Sequence, residues 1–217
     1  MIIAIDGGVA SGKSAVGRRA AEAAGLPFID SGLMYRAVTK LAAERGVDPD
    51  DADAVTALAR SVELKVDGER VWADGVELTD GIFDADHMDA LPKISAIPGV
   101  REALVAQQRR LGQGGVVMAG RDIGTVVFPE AEHKFFLVAS LEEKVRRRAA
   151  QYEKRGEHVD AEAMRKEVEA RDRVDTERAV APLRPAPDAI VIDTDELDVD
   201  QVVDVILRHV DERSKTP

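Results

Sequence analysis

A chain of 217 residues suffices for one large domain whose core stands without disulfides, and the absence of cysteine excludes a disulfide framework, a thiolate-held zinc site and thiol catalysis. A net charge of −11 argues against nonspecific binding to a nucleic-acid polymer, although Lys and Arg gather at 109–110, 146–148 and 165–178, where local anion sites can form. The four histidines lack metal-ligand spacing, no apolar run approaches the roughly 20 residues of a membrane span, and Met1-Ile2-Ile3 carries no basic leader, so a cytoplasmic protein without membrane contact is expected.

Ile2 to Asp6 reads as a buried strand, and residues 13–24 as a helix with Val16, Ala20 and Ala24 on one face. Leu26 to Ile29 is a short strand-like run. Residues 33–45 carry Met34, Val38, Leu41 and Ala42 at helical spacing and stop near Gly46, and Asp50 to Ser61 is a further helix. The period then changes. Val62, Leu64 and Val66 alternate with charged residues, Asp67-Gly68 turns the chain, Val71 and Ala73 alternate again, Asp74-Gly75 turns it back, and Val76 and Leu78 follow. This pattern predicts an antiparallel meander of three short strands inserted at 62–79. Residues 84–112 read as mostly helical, broken near Pro92 and at Pro98-Gly99. Val116 to Ala119 and Lys134 to Val138 are buried strands, while 141–155 and 160–177 are charged helices joined at Arg155-Gly156. Ala189 to Ile192 is the last strand and Val199 to Val210 the last helix. Strands separated by helices imply an α/β protein with a parallel sheet covered on both faces.

Four segments concentrate the chemistry. Residues 7–14, G-G-V-A-S-G-K-S, form a complete phosphate-binding loop directly after the first strand. Backbone amides of such a turn point at phosphate oxygens, Lys13 reaches the β- and γ-phosphates, and the Ser14 hydroxyl can ligate Mg²⁺. The dipole of the following helix favours the same anion. The segment D-S-G-L-M-Y-R at 30–36 lies where a strand ends and a helix begins, the crevice position for ligands in open sheets. There Asp30 or Ser31 can cap the helix, with Tyr35 and Arg36 on its first turns. In A-G-R-D-I-G-T at 119–125, Arg121 can fork onto a phosphate and Asp122 can accept from an exocyclic amine or a ribose. In A-R-D-R-V-D-T-E-R at 170–178, Arg171, Asp175 and Arg178 fall at spacings that share one helical face.

Taken in order, the loop at 7–14, D-S-G-L-M-Y-R, V-R-E-A-L at 100–104, G-R-D-I-G-T-V-V-F-P at 120–129 and R-A-V-A-P-L at 178–183 resemble bacterial cytidylate kinases over nearly the whole chain. The resemblance implies a single nucleoside monophosphate kinase domain over 1–217, a three-layer P-loop NTPase fold. Its parts would be a parallel core sheet, a monophosphate-binding region at 31–112 carrying the 62–79 insertion, and a short helical lid at 147–175. It further implies transfer of the γ-phosphate of ATP, with Mg²⁺, to CMP or dCMP.

By the same resemblance Gly7, Gly8, Val9, Ala10, Ser11, Gly12, Lys13, Ser14 and Ala15 would wrap ATP, with Arg147 and Arg148 swinging onto its phosphates as the lid closes. Ser14 would be the metal ligand, since Ala15 stands where many members carry Ser or Thr. Ser31, Tyr35, Arg36, Ser95, Arg101, Arg121, Asp122, Arg171, Asp175 and Arg178 would hold CMP. Of these, Ser31, Arg36, Arg121 and Arg178 fall to its phosphate, Ser95, Arg101 and Asp122 to the cytosine, and Arg171 and Asp175 to the sugar. Lys13, Arg36, Arg121 and Arg178 would serve catalysis. Val174 and Thr176 occupy lid-end positions that are often basic in the family. A monomer is expected. Two other classes share the loop: another small-molecule kinase such as dephospho-coenzyme A kinase, and a non-enzymatic nucleotide switch. The chain contains no Asn, which removes the N-K-x-D guanine motif of a GTP switch.

Overall fold

The computed structural model describes residues 1–154, 156 and 160–214. The first part of the chain forms β1 (Ile2–Gly7), α1 (Lys13–Ala24), β2 (Phe28–Asp30), α2 (Ser31–Glu44) and α3 (Ala52–Ser61). Then come β3 (Leu64–Asp67), β4 (Arg70–Ala73), β5 (Val76–Glu77), α4 (Ala85–Met88), α5 (Leu91–Ala96) and α6 (Pro98–Leu111). The remainder is β6 (Val116–Gly120), a π-helical turn (Ile123–Val127), β7 (His133–Val138), α7 (Leu141–Lys154), α8 (Ala161–Glu177), β8 (Ile190–Asp193) and α9 (Val199–Ser214). Arg155 of the expected joint, and residues 157–159 of the expected lid, lie outside the described residues.

Five strands form one parallel sheet in the order β2–β6–β1–β7–β8. Both faces are buried, so the core strands are continuously apolar. Ala4, Val116 and Met118 point into one cluster, shared with α2, α3, α5 and α6. Ile3, Ile5, Val117, Ala119, Phe135 and Leu137 point into the other, closed by α1 and α9. The parallel register sets Asp6 beside Gly120 on one side and Phe136 on the other. The end of β1 thus opens into the crevice between β6 and β7, at the switch point of the strand order.

The second sheet, β3–β4–β5, is antiparallel, as the alternation predicts. Its buried residues Leu64, Val66, Val71 and Ala73 join the same cluster as α2, so the insertion extends the core. The second turn centres on Asp74-Gly75, with φ of 51° and 81°, the type I′ pair that suits strand twist. The first centres on Gly68-Glu69, one residue later than Asp67-Gly68, because Asp67 pairs with Arg70.

Several boundaries differ from expectation for local reasons. The second strand begins at Phe28, after Pro27, and α2 starts at Ser31 because the Asp30 carboxylate accepts the Gly32 amide and caps the helix. Pro92 and Pro98 sit in the first turns of α5 and α6, where a missing amide costs nothing, so the breaks expected near Pro92 and at Pro98-Gly99 fall just before these prolines and divide the stretch into three helices. Arg178 is the cap residue beyond α8, extended at φ −59° and ψ 140°, and not on its face.

Candidate active site

The phosphate loop leaves β1 at Gly7 and enters α1 at Lys13. Ala10 at φ 53° and Gly12 at φ 89° turn the backbone through the left-handed region, and Gly12 does so without a Cβ penalty. Among the described residues no side chain caps α1, and no acidic residue sits in its first turn, so its leading amides and dipole are left for an anion. Lys13 is buried and its Nζ donates to the Gly8 carbonyl at 2.8 Å. Burial, then the positive charge of Arg121, pull the ammonium from 10.5 to about 7 against the nearby carboxylates of Asp30, Asp175 and Asp172. The Ser14 hydroxyl donates to Asp30 Oδ2 at 2.5 Å, and Ser11 Oγ is buried without a hydrogen-bond partner among the described residues. The Val9 amide donates to Asp172 Oδ1 at 3.0 Å, and Asp172 pairs with Lys144 at 2.7 Å.

Arg147 and Arg148 separate, as consecutive helical residues about 100° apart must. Arg147 donates to Thr194 Oγ1 at 2.9 Å and Glu143 Oε1 at 2.6 Å, and a Cβ on Gly12 would lie 3.6 Å from its Nη1. Its head therefore stands against the phosphate loop. Arg148 pairs with Glu167 at 2.8 Å, stacks over Tyr152, and its charge bears on Arg36 and Arg171. It lies on the far side of the cleft, with Arg36 and Arg171, and makes no loop contact among the described residues.

That far side is a net of arginines around two buried carboxylates. Asp122 Oδ2 takes Arg101 Nη2 at 2.5 Å, and Arg178 lies 3.7 Å from Oδ1. Arg101 also donates to the Ser95 carbonyl at 3.0 Å and stacks over Tyr35 at 5.3 Å. Burial pushes the Tyr35 hydroxyl up to about 12. Asp175, fully buried, takes Arg121 Nε at 2.7 Å, Arg171 Nε at 3.4 Å and Arg178 Nη1 at 3.7 Å. Burial acts to raise its pKa, but Arg121, Arg171 and Arg178 together hold the carboxyl below the ordinary range. Ser31 donates to the Ala119 carbonyl at 2.9 Å and Ser95 to the Pro92 carbonyl at 3.1 Å, so both hydroxyls face the backbone.

Arg36 differs from the rest. Its Nη1 donates to Met88 Sδ at 2.9 Å, its guanidinium lies 4.7 Å over the Phe83 ring, and no carboxylate pairs with it among the described residues. Neutral partners hold the head while its full charge stays available to an anion. Burial, and then the charge of Arg148, pull it down to about 10.

Sequence reasoning missed Asp6, Asp172 and Lys144. Asp6 accepts the amides of Ile123 at 2.7 Å and Gly124 at 2.8 Å, tying the loop-bearing strand to the π-helical turn behind Asp122. A carboxylate ending the apolar run Ile2-Ile3-Ala4-Ile5 was the available signal. Asp172 and Lys144 meet the loop only through the tertiary docking of α8 and α7, which no local pattern announces.

The cytidylate kinase family model matches residues 3–212. A cytidylate kinase of Geobacillus kaustophilus is 48% identical over 216 residues, 97% of this chain and 96% of that protein. A bifunctional pantoate ligase/cytidylate kinase of a Synechococcus species is 46% identical over 215 residues, 95% of this chain but 40% of the relative, so the chain spans about two fifths of that protein's length. The crystal structure of an uncharacterized protein from Eubacterium ventriosum aligns with a TM-score of 0.53 at 15% identity, over 98% of both chains, a likeness of fold alone. With the loop, the arginine net and the matched residues in agreement, the chain belongs to the cytidylate kinase family.

Proposed function

We propose that the protein transfers the γ-phosphate of ATP to CMP or dCMP, giving CDP or dCDP, by in-line displacement. One observation carries the reading. A buried lysine at an uncapped helix start shares its surroundings with Arg121 and Asp175, in a cleft whose other wall holds a buried carboxylate, Asp122, fixed by Arg101.

The acceptor phosphate is a nucleophile at neutral pH, so the protein supplies alignment and charge neutralisation. Loop amides and Lys13 bind the donor phosphates, and Arg147 adds charge from α7. Arg36, Arg121 and Arg178 hold the acceptor phosphate in line. Asp122, with Oδ2 taken by Arg101, offers its remaining lone pairs to an exocyclic amine, which cytosine has and uracil lacks. The residues present fit a magnesium ion carried by the nucleotide. Ser14 Oγ and Asp30 Oδ2 set two hard oxygens 2.5 Å apart at the loop, and among the described residues no group of three acidic or histidine side chains could cage a metal alone. When bound there, Mg²⁺ would supply further neutralisation of the β- and γ-phosphate oxygens.

An ADP-release assay with ATP and Mg²⁺ against CMP, dCMP, UMP, AMP and dephospho-coenzyme A tests this. Turnover with CMP and dCMP, weak turnover with UMP and none with AMP or dephospho-coenzyme A are expected. Turnover confined to another acceptor would overturn the reading of the arginine net and leave the phosphate loop in place.

A further inference from the structure

Asp6 lies at the end of β1, 3% exposed, and takes no part in the chemistry above. Among the described residues no ion pair reaches it. Its two oxygens each accept one backbone amide, Ile123 at 2.7 Å and Gly124 at 2.8 Å. A carboxyl buried with only backbone amides for partners is costly to hold, so the contact calls for a role beyond filling space.

The two amides open the π-helical turn that follows Asp122. From the other side, the amides of Val126 and Val127 donate to the Asp122 carbonyl at 2.9 and 3.2 Å. Arg101 then fixes the Asp122 side chain through Oδ2. The orientation of Asp122 is therefore set by three grips, and Asp6 is the one that reaches back to the strand delivering the phosphate loop. A Cβ on Gly124 would lie 3.3 Å from Lys134 Cγ and Cδ and 3.4 Å from Asp6 Oδ2, so the turn packs at van der Waals distance against Asp6 with room for no branched side chain. π-Helical turns are rare and cluster at functional sites, where the surrounding structure maintains them.

We propose that Asp6 is a positioning residue for base selection: through the amides of Ile123 and Gly124 it holds Asp122 in register with the phosphate loop. This rests on the reading of Asp122 as the contact to the base, and the test separates the two.

Steady-state kinetics are compared for Asp6→Asn, Gly124→Val and Asp122→Asn with CMP and UMP as acceptors. Asp6→Asn keeps the shape but turns an amide donor toward one of the two backbone amides. Its expected signature is a KM for CMP raised about tenfold and a CMP-over-UMP preference eroded by about tenfold, with the KM for ATP changed less than about twofold. Gly124→Val, whose γ-carbons overfill the space beside Asp6 Oδ2 and the Lys134 chain while leaving the carboxylate in place, should show the same pattern, and it carries the test alone if Asp6→Asn does not fold. An equal rise in both KM values, or an unchanged CMP-over-UMP preference in the folded variants, would overturn the role of Asp6, provided Asp122→Asn itself erodes the preference. An Asp122→Asn variant with intact preference would instead overturn the base-contact reading, and the inference with it.

Discussion

The carboxylate of Asp172 sits on the amide of Val9: Oδ1 accepts the Val9 N–H at 3.0 Å while Oδ2 takes Lys144 Nζ at 2.7 Å. A carboxylate oxygen on an amide of a phosphate loop occupies a position of the kind a phosphate oxygen takes. An arriving triphosphate therefore competes with a side chain from α8. A hydrogen bond to a charged group is worth about 1.5–3 kcal/mol, so displacement has a measurable cost. Asp172→Ala should bind ATP about three- to tenfold more tightly, the freed Lys144 adding attraction. Calorimetric titration checks this. Weaker binding would mean that Asp172 holds the loop in its receptive shape.

Lys13 pairs with no carboxylate at ion-pair distance among the described residues, and burial already draws its pKa down to about 7. It is a charge that the fold carries at a loss and the reaction uses. Lys13→Met should therefore reduce kcat by about three orders of magnitude, the scale of removing a preorganised charge from a transition state. It should leave the unfolding temperature unchanged or higher, because a methionine buries without the desolvation of an ammonium. A large loss of both turnover and stability would reassign Lys13 to the scaffold.

Asp6 makes the stability of the free protein depend on pH in a definite direction. Burial raises its carboxyl from 3.8 to about 7, against the amide bonds of Gly124 and Ile123, with the Asp122 charge raising and Lys13 lowering it. Between those pH values the folded state keeps a proton that the unfolded chain has released. The stability Asp6 contributes is thus complete below pH 3.8 and is lost as pH rises through about 7. Asp6→Asn lacks this loss. Denaturant titrations from pH 4 to pH 8 should show the variant gaining on the parent by a few kcal/mol as pH rises. Parallel curves would mean that the Asp6 carboxyl titrates as it does in water.

What the sequence made legible was local. Gly7 to Ser14 declares itself by spacing, Asp30 by its place before a helix, and the meander by its alternation around Asp74-Gly75. The α/β core followed from apolar runs separated by helices. The missing parts are those where chemistry depends on distant partners. Asp6 reaches Ile123 across the sheet, because parallel pairing sets Asp6 beside Gly120. Arg147 and Arg148 are neighbours in sequence yet face the loop and Glu167 respectively, which only the rotation of α7 decides. The π-helical turn carries no periodic signal and is held by contacts to Asp6 and the Asp122 carbonyl.

Asp175 is the carboxylate on which most positive charge converges. It is fully buried, within 2.7 Å of Arg121, 3.4 Å of Arg171 and 3.7 Å of Arg178. Removing one partner from a buried ionic cluster costs about 3–5 kcal/mol, because the remaining charges lose their compensation. Here three guanidinium groups would face one another across the space the carboxylate filled. Asp175→Ala should lower the unfolding temperature by roughly 10 °C, given the few degrees per kcal/mol expected for a chain of this size. An anion can replace part of the lost charge, so CMP or millimolar inorganic phosphate should restore several degrees, and sodium chloride at equal ionic strength should restore less. Scanning calorimetry of the variant with each addition decides the matter. A drop that no anion reverses would show that Asp175 acts through packing at the end of α8, whereas recovery by phosphate alone would locate the anion subsite among Arg121, Arg171 and Arg178.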